Sequence, residues 1–256
     1  FRGDPALFED GIRILEDLCG IPVLGVIPYL SLPFPSEDSL SIEDKKTCDH
    51  PVRIAVIRLP RISNFTDFES LERSAAVVYV KPGFSLSGYD CIIIPGTKNT
   101  VDDLRIVHKS GCAAEIRAAR ERGIPIIGIC GGYQMLGLEV IDDGVESQLG
   151  RYEGLGLLRT VTRFSKYEKT TEQVTRTASA IGPILAAIGT VKGYVIHMGE
   201  TERIGDEEAF CGEGAVSGDG LVIGTYLHGL FTNPSARNAL LSWMYAQKGL
   251  EYIPMD

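Results

Sequence analysis

The sequence predicts an α/β protein with a mostly parallel sheet flanked by helices and a β-rich C-terminal half. Two observations carry this prediction. Between residues 52 and 150, short apolar runs alternate with segments of helical periodicity, a pattern typical of parallel strands covered on both faces by helices. Beyond residue 150, segments of strand composition follow one another, and one helix is expected after Pro234.

The expected elements of the first half alternate regularly. Strands are expected at 53–59, 76–80, 91–96 and 125–130, and helices at 67–73, 101–107, 112–122 and 132–138. In the second half, strands are expected at 154–164, 190–197 and 221–226. The final helix carries an apolar face of Ala239, Leu240, Trp243 and Met244.

The first 51 residues differ in character from the rest. Residues 5–18 place apolar side chains at helical spacing, Gly20 should end that helix, and 21–28 should form a short buried strand. Residues 29–51 are rich in Pro, Ser and acidic residues and indicate a linker, with a long surface loop as the alternative. The chain begins with Phe1, so we expect a natural or trimmed fragment in which 1–28 is the remnant of an upstream domain and 52–256 is the main domain.

Composition restricts the function classes. With 256 residues, 44 % of them hydrophobic and 23 % charged, the chain is long enough for a sizeable core without staples. A net charge of −9 without a Lys/Arg cluster argues against nucleic acid or an anionic membrane as the partner. No signal peptide or membrane span is expected. Six scattered cysteines without a CxxC pair argue against a metal site or disulfides, so a cytoplasmic location with reduced thiols is expected.

The segment Gly128-Ile129-Cys130-Gly131-Gly132 predicts a nucleophile elbow. A buried strand ends at Cys130, and small residues lead at once into a helix, which is the arrangement of a serine-hydrolase elbow with Cys in place of Ser. Glycines at 128 and 132 are needed because the backbone packs closely around the tight turn. The helix N-terminus favours an ionised thiol, and the N–H of Gly131 can face a developing oxyanion.

A thiolate nucleophile usually needs a base, and four histidines are available. His50 falls in the expected linker and His108 at a polar helix end. His197 and His228 each follow an apolar strand, which is where active sites of α/β folds gather. The residues alone leave both as candidates, with a hydrogen-bonded core histidine as the alternative for each.

Several segments together resemble a known family. GICGGYQMLG is similar to the cysteine elbow of class I glutamine amidotransferases, which have a flavodoxin-like fold. LPRISNFTDFESLE, IIIPGTKNT, EGLGLL, GYVIHMGET and GTYLHGLF, together with the N-terminal FRGDPALFEDGIRILE, resemble cobyric acid synthases in the same order along nearly the whole chain.

The resemblance implies a glutaminase. Cys130 would attack the side-chain amide of glutamine and His228 would act as base and acid. Gly96 and Gly131 would supply the oxyanion-hole N–H groups, and Gln134 would contact the substrate. Two departures matter. No Glu stands two residues after His228, so the third triad member is not identified, and Val195 replaces a common Glu, which leaves the role of His197 open.

The resemblance also implies partners. The glutaminase would supply ammonia to an upstream amidoligase domain that amidates side-chain carboxylates of cobyrinic acid a,c-diamide, a corrinoid of cobalamin biosynthesis, with ATP and Mg²⁺. This chain has no GxxxxGK[ST] segment, so no cofactor is expected in it. The alternatives are the glutaminase of another amidoligase, of the cobyrinate a,c-diamide synthase or lipid II amidation type, and a redox-sensing elbow cysteine without enzyme activity.

Overall fold

The computed structural model describes residues 8–26 and 49–254, and the chain divides into two compact units, residues 1–35 and 36–256. In the first unit, helix α1 spans Glu9–Cys19 and ends where Gly20 adopts a φ of 65°, as the sequence predicts. The strand predicted at 21–28 is wrong for residues 21–26, where Leu24 is 98 % exposed. A strand needs a hydrogen-bonded partner, and no described segment pairs with these residues. Residues 27–28 and most of the predicted linker lie outside the described ranges.

The strands and helices of residues 49–254 have the following bounds. The strands are β1 Arg53–Ile57, β2 Ile62–Ser63, β3 Ala76–Val80, β4 Cys91–Ile94, β5 Gly96–Thr97, β6 Ile126–Ile129, β7 Glu139–Asp142, β8 Gly150–Glu153, β9 Thr160–Phe164, β10 Thr170–Thr177, β11 Thr190–His197, β12 Glu200–Arg203, β13 Ala215–Val216, β14 Val222–Thr225 and β15 Leu227–His228. The helices are α2 Thr100–Lys109, α3 Cys112–Glu121, α4 Gly131–Leu136, α5 Gly182–Leu185 and α6 Pro234–Gln247, with 3₁₀ turns at Phe65–Leu71 and Leu230–Thr232.

A six-stranded sheet in the order β13-β14-β6-β4-β1-β3 forms the centre of this unit. The five strands from β14 to β3 are parallel, and β13 is an antiparallel edge. Strands β4, β6 and β14 are buried along their whole length, and their side chains point alternately to the two faces of the sheet, which explains their apolar sequences. The predicted parallel α/β architecture is confirmed.

The β-rich part departs from prediction in detail. The strand predicted at 154–164 is restricted to β9, and residues 154–159 form a loop. Strand β10 was not predicted because its sequence TTEQVTRT is polar; it pairs along its full length with β11, which supplies the backbone partners. The helix predicted at 67–73 is the 3₁₀ turn Phe65–Leu71.

The sheet order determines where chemistry can occur. Strands β1, β4, β6 and β14 are neighbours, so the loops after them meet at one edge of the sheet. These loops contain residues 58–64, 95–99, 130 and 226. The strand pair β11–β15 contributes His228 to the same edge through the register Tyr194↔His228.

Candidate active site

Cys130 occupies a strained elbow between β6 and α4. Its backbone has φ 53° and ψ −113°, a conformation that non-glycine residues rarely adopt and that is found where surrounding structure enforces it. Its N–H donates to the carbonyl of Thr225 at 2.8 Å. A Cβ at Gly132 would overlap the carbonyl of Ile94, and one at Gly128 would lie 2.7 Å from the carbonyl oxygen of Gly132. The predicted need for both glycines is confirmed.

His228 lies beside this elbow, fully buried at the end of β15. Its Nδ1 is 2.7 Å from Oδ2 of Asp67, and the N–H of Gly229 donates to the other carboxylate oxygen at 3.0 Å. Cys130 lies close enough to influence the charge of His228, and the two side chains line the same cavity. Because Nδ1–H donates to Asp67, Nε2 is the nitrogen left to face the thiol. Asp67 is thus the carboxylate that completes the Cys–His pair, a residue that the sequence analysis did not identify.

The surroundings of His228 favour its protonated form. Burial lowers the pKa of His228, but the hydrogen bond to Asp67 and the interactions with Asp67 and Cys130 outweigh burial and raise that pKa to about 9. A protonated imidazole between two acidic groups is suited to hold a thiolate and to deliver a proton to a leaving group.

Two further side chains pack against the imidazole ring. Asn64, which adopts a left-handed φ of 52°, places Nδ2 3.0 Å from Nδ1 and 3.2 Å from Nε2 of His228. Because an amide NH₂ group only donates, Nδ2 contacts the protonated ring without a hydrogen bond to it. Tyr194 stacks on the ring with centroids 5.2 Å apart. Asn64 and Cys130 are the two non-glycine residues with positive φ in the described ranges, and both contact His228. Backbone strain is therefore concentrated at this histidine.

A cavity of about 330 Å³ opens in front of the pair. Cys130 and His228 line it together with charged side chains from three loops, Lys98, Glu146 and Lys169. A site of this size that contains a reactive thiol and charges of both signs suits a small zwitterionic molecule.

Gln134 also lines the cavity, but its amide is engaged by the protein. It is 2 % exposed, which excludes a solvated helix position. Its Nε2 donates to the carbonyl of Met198 at 2.8 Å and to the hydroxyl of Tyr226 at 3.2 Å, and its Oε1 accepts from Thr100 Oγ1 at 2.8 Å.

Glu146 was not singled out from the sequence. It accepts from the N–H groups of Thr100 at 2.8 Å and Val101 at 3.2 Å at the start of α2. Burial raises the pKa of Glu146 to about 7 despite these hydrogen bonds. The carboxylate therefore changes charge near neutral pH.

The two predicted oxyanion donors both border the reaction centre. A Cβ at Gly96 would lie 3.4 Å from Cε1 of His228 and 3.0 Å from Oγ of Ser63, its partner in the β2–β5 pair. Gly131 is the first residue of α4, packed against Thr97 of the neighbouring loop. Their role in holding an oxyanion stays a prediction.

The remaining histidines and cysteines considered as catalytic candidates have other surroundings. His108 contacts the carbonyl of Glu153 at an exposed position. Burial raises the pKa of Cys112 to about 11 and that of Cys91 further, so both are core thiols. His197 lines the cavity, and burial lowers its pKa. Among residues 8–26 and 49–254, no group of three or more His, Cys, Asp or Glu side chains could hold a metal ion.

A comparison with protein families decides the assignment. Residues 53–236 match the CobB/CobQ-like glutamine amidotransferase domain. The chain belongs to this glutamine amidotransferase family. Curated relatives include two probable cobyric acid synthases, from Methanoregula boonei at 64 % identity and from Methanosphaerula palustris at 66 %. Each alignment covers 100 % of this chain and 53 % of the relative, so the chain spans about half the length of these relatives.

Solved structures of other proteins share the fold of this chain. The chain aligns with one chain of the PurLQS structure from Thermotoga maritima with a TM-score of 0.58 and 19 % identity, covering 77 % of this chain and 98 % of the other. It aligns with the crystal structure of another glutamine amidotransferase with a TM-score of 0.52 and 19 % identity, covering 75 % of this chain and 97 % of the other. The predicted class of fold is confirmed. No helix in the described ranges is long and apolar enough to cross a membrane.

Proposed function

We propose that this chain is the glutaminase part of a cobyric acid synthase. The observation that carries the proposal is the Cys130–His228–Asp67 arrangement, in which His228 is hydrogen-bonded to Asp67 and lines one cavity together with Cys130. The relatives' names support the choice of pathway, and the family supports the choice of glutamine as the nitrogen donor.

The proposed reaction proceeds in two balanced steps. The Cys130 thiolate attacks the side-chain carboxamide carbon of glutamine, and the C–N bond breaks as His228 donates its proton to the leaving ammonia. The product is a glutamyl thioester. Water then attacks the thioester, His228 accepts its proton, and the C–S bond breaks to release glutamate and the thiolate. Asp67 holds the imidazole tautomer throughout.

The N–H groups of Gly96 and Gly131 would stabilise the oxyanion of each tetrahedral intermediate. We propose that charged side chains of the cavity recognise the α-ammonium and α-carboxylate groups of glutamine. The Glu146 carboxylate would bind the α-ammonium group, and Lys98 and Lys169 would attract the α-carboxylate. Gln134 lines the same cavity and would meet the substrate there, in addition to its contacts with the protein.

The ammonia would be used in a second reaction. We propose that an upstream amidoligase domain, with ATP and Mg²⁺, amidates side-chain carboxylates of cobyrinic acid a,c-diamide in the cytoplasm. The relatives are about twice as long as this chain, which is consistent with such a linked domain. This glutaminase part needs no cofactor in the proposal.

The test of the glutaminase assignment is glutamate release from glutamine by the purified chain. We expect slow hydrolysis, no ATP-dependent amidation of a corrinoid acid even with free ammonia, and a faster glutaminase rate when the upstream domain is added. ATP-dependent amidation by this chain alone would contradict the proposal that the ligase site lies in the upstream domain. No glutamate release, together with reversible oxidation of Cys130, would favour the redox-sensing alternative.

The Glu146 assignment has its own test in the pH profile. Because the pKa of Glu146 is about 7, kcat/KM for glutamine should rise with pH through that value as the carboxylate ionises. Glu146→Gln should remove this limb and lower kcat/KM at pH 8 by roughly tenfold, as expected for a lost charged hydrogen bond. Glu153→Gln, at an exposed position, is the matched control. A rising limb that persists in Glu146→Gln would contradict the assignment.

A further inference from the structure

One wall of the reaction cavity, residues 196–198, has open space on two sides. His197 borders both the reaction cavity and a second cavity of about 340 Å³, which is also lined by Tyr226. A wall between two cavities has few packing neighbours, so its position depends on specific contacts. The position matters because the carbonyl of Ile196 accepts a hydrogen bond from Sγ of Cys130 at 3.4 Å.

Tyr226 contacts this wall in two ways. Its ring stacks on the ring of His197, with centroids 3.7 Å apart and planes inclined by 17°. Its hydroxyl accepts from Nε2 of Gln134, and the same Nε2 holds the carbonyl of Met198. The ring of Tyr226 therefore supports His197 directly. Its hydroxyl orients the amide of Gln134, which holds the carbonyl of Met198.

The hydroxyl of Tyr226 belongs to a longer chain of hydrogen bonds. An amide Nε2 only donates, so Tyr226 accepts from Gln134, and its own proton is available for Thr201 Oγ1, which lies 2.5 Å away. Thr201 in turn lies 2.7 Å from Oγ1 of Thr162. The chain links α4, which begins beside Cys130, to β12 and β9, and each group in it limits how the next can turn.

We propose that Tyr226 is a positioning residue for glutamine binding, because its phenol orients the Gln134 amide and its ring supports the 196–198 wall facing Cys130. This inference rests on the proposed glutaminase function. It assigns Tyr226 no contact with the reacting atoms. Loss of the hydroxyl should free the Gln134 amide, loosen the wall at Met198 and weaken glutamine binding, whereas Cys130 and His228 keep their geometry.

The experiment compares Tyr226→Phe with Tyr245→Phe. Each removes one hydroxyl, and that of Tyr245 donates to the carbonyl of Ser74 away from the cavity. Three rates are measured: glutamine hydrolysis, saturable inactivation by the glutamine analogue 6-diazo-5-oxo-L-norleucine, and alkylation of Cys130 by iodoacetamide. For Tyr226→Phe we expect roughly tenfold higher KM and inactivation constant, as for a buried donor left unpaired. The limiting rates and the iodoacetamide rate should stay within about threefold of wild type. Tyr245→Phe should change none of these values.

Thr201→Val tests the same series of hydrogen bonds at the side of Tyr226 opposite to Gln134. It removes the acceptor of the Tyr226 proton and should raise KM in the same direction, and the double variant with Tyr226→Phe should be no worse than Tyr226→Phe alone. If Tyr226→Phe does not fold, Thr201→Val carries the test.

The outcomes separate the two proposals. A wild-type chain that releases no glutamate overturns the proposed function. An active wild type with unchanged KM and inactivation constant in Tyr226→Phe overturns the positioning role. Equal losses in binding and in the iodoacetamide rate, or additive effects in the double variant, overturn it as well.

Discussion

The loops after β6 and after β1 reach the same histidine by different means. The elbow after β6 is largely determined by its own sequence: Gly128 leaves space for the carbonyl of Gly132, and Cys130 adopts its strained φ within a five-residue segment, although Gly132 also makes room for the carbonyl of Ile94 on β4. The loop after β1 carries Asn64 and Asp67, whose partner His228 lies more than 160 residues further along the chain. The glycines around Cys130 can be recognised in the sequence, whereas the pairing of Asp67 with His228 cannot, because it depends on which strands are neighbours in the folded sheet. Four substitutions measure how far the two loops depend on each other.

Removing the sulfur of the elbow should have the largest effect. Cys130→Ala is expected to abolish glutamine hydrolysis, because no other described cysteine has a histidine base, while leaving the fold intact because the side chain is small. Glutamate release and the thermal unfolding midpoint are the measurements. Cys211→Ser, at an exposed position, serves as control. Labelling by a glutamine analogue chiefly at Cys91 or Cys211 would contradict the assignment.

Replacing the histidine base tests both loops at once, because His228 lies between Cys130 and Asp67. His228→Asn should lower glutaminase turnover by roughly 10²–10⁴-fold, the range for general acid–base catalysis. His197→Asn should cost far less, because the described hydrogen bonds join Asp67 to His228, whereas Nδ1 of His197 is bonded to the carbonyl of Gly199. Steady-state rates of both variants decide the matter, and an equal or greater loss in His197→Asn would overturn the choice of base.

The elbow can be broken without touching a reactive group. Gly132→Ala places a Cβ against the carbonyl of Ile94, and we expect a stability loss at or beyond the upper end of roughly 1–3 kcal/mol for overpacking. Gly218→Ala, at a position with open space around it, should be nearly neutral. Urea unfolding curves compare the two. If Gly132→Ala were as stable as Gly218→Ala, the elbow would not depend on the close approach of Gly132 to the carbonyl of Ile94.

The loop after β1 is tested by its carboxylate. Asp67→Asn removes a charged hydrogen bond worth about 1.5–3 kcal/mol, which corresponds to a roughly 10- to 150-fold lower rate. The pKa of His228 should fall from about 9 toward its ordinary value. In the wild type, the stability from protonated His228 is complete below about pH 6.5 and is lost as pH rises through about 9. The difference in unfolding free energy between the two proteins should therefore narrow from pH 6 to pH 10.

The control for this test is Asp102→Asn. Its carboxylate pairs with Arg61 at 3.2 Å, near the same loop but away from His228. It should leave the pH dependence of stability unchanged. A constant difference between wild type and Asp67→Asn across the pH range would mean that Asp67 does not hold the proton of His228.

The sequence by itself determined the parallel strands, the helices that cover them and the nucleophile elbow. These follow from apolar runs, helical periodicity and the run of small residues around Cys130, all of which are visible within short segments of the sequence. It also indicated His197 and His228, because strand ends collect at one edge of an α/β sheet.

The tertiary structure alone decided which side chains act together. Strand order brought Asp67 and Asn64 to His228, and it brought Glu146 to the start of α2 and into the reaction cavity. The polar strand β10 was equally hidden, because its backbone partners belong to β11 and its composition carries no apolar alternation. Long-range pairing depends on which strands become neighbours, and no local pattern encodes that choice.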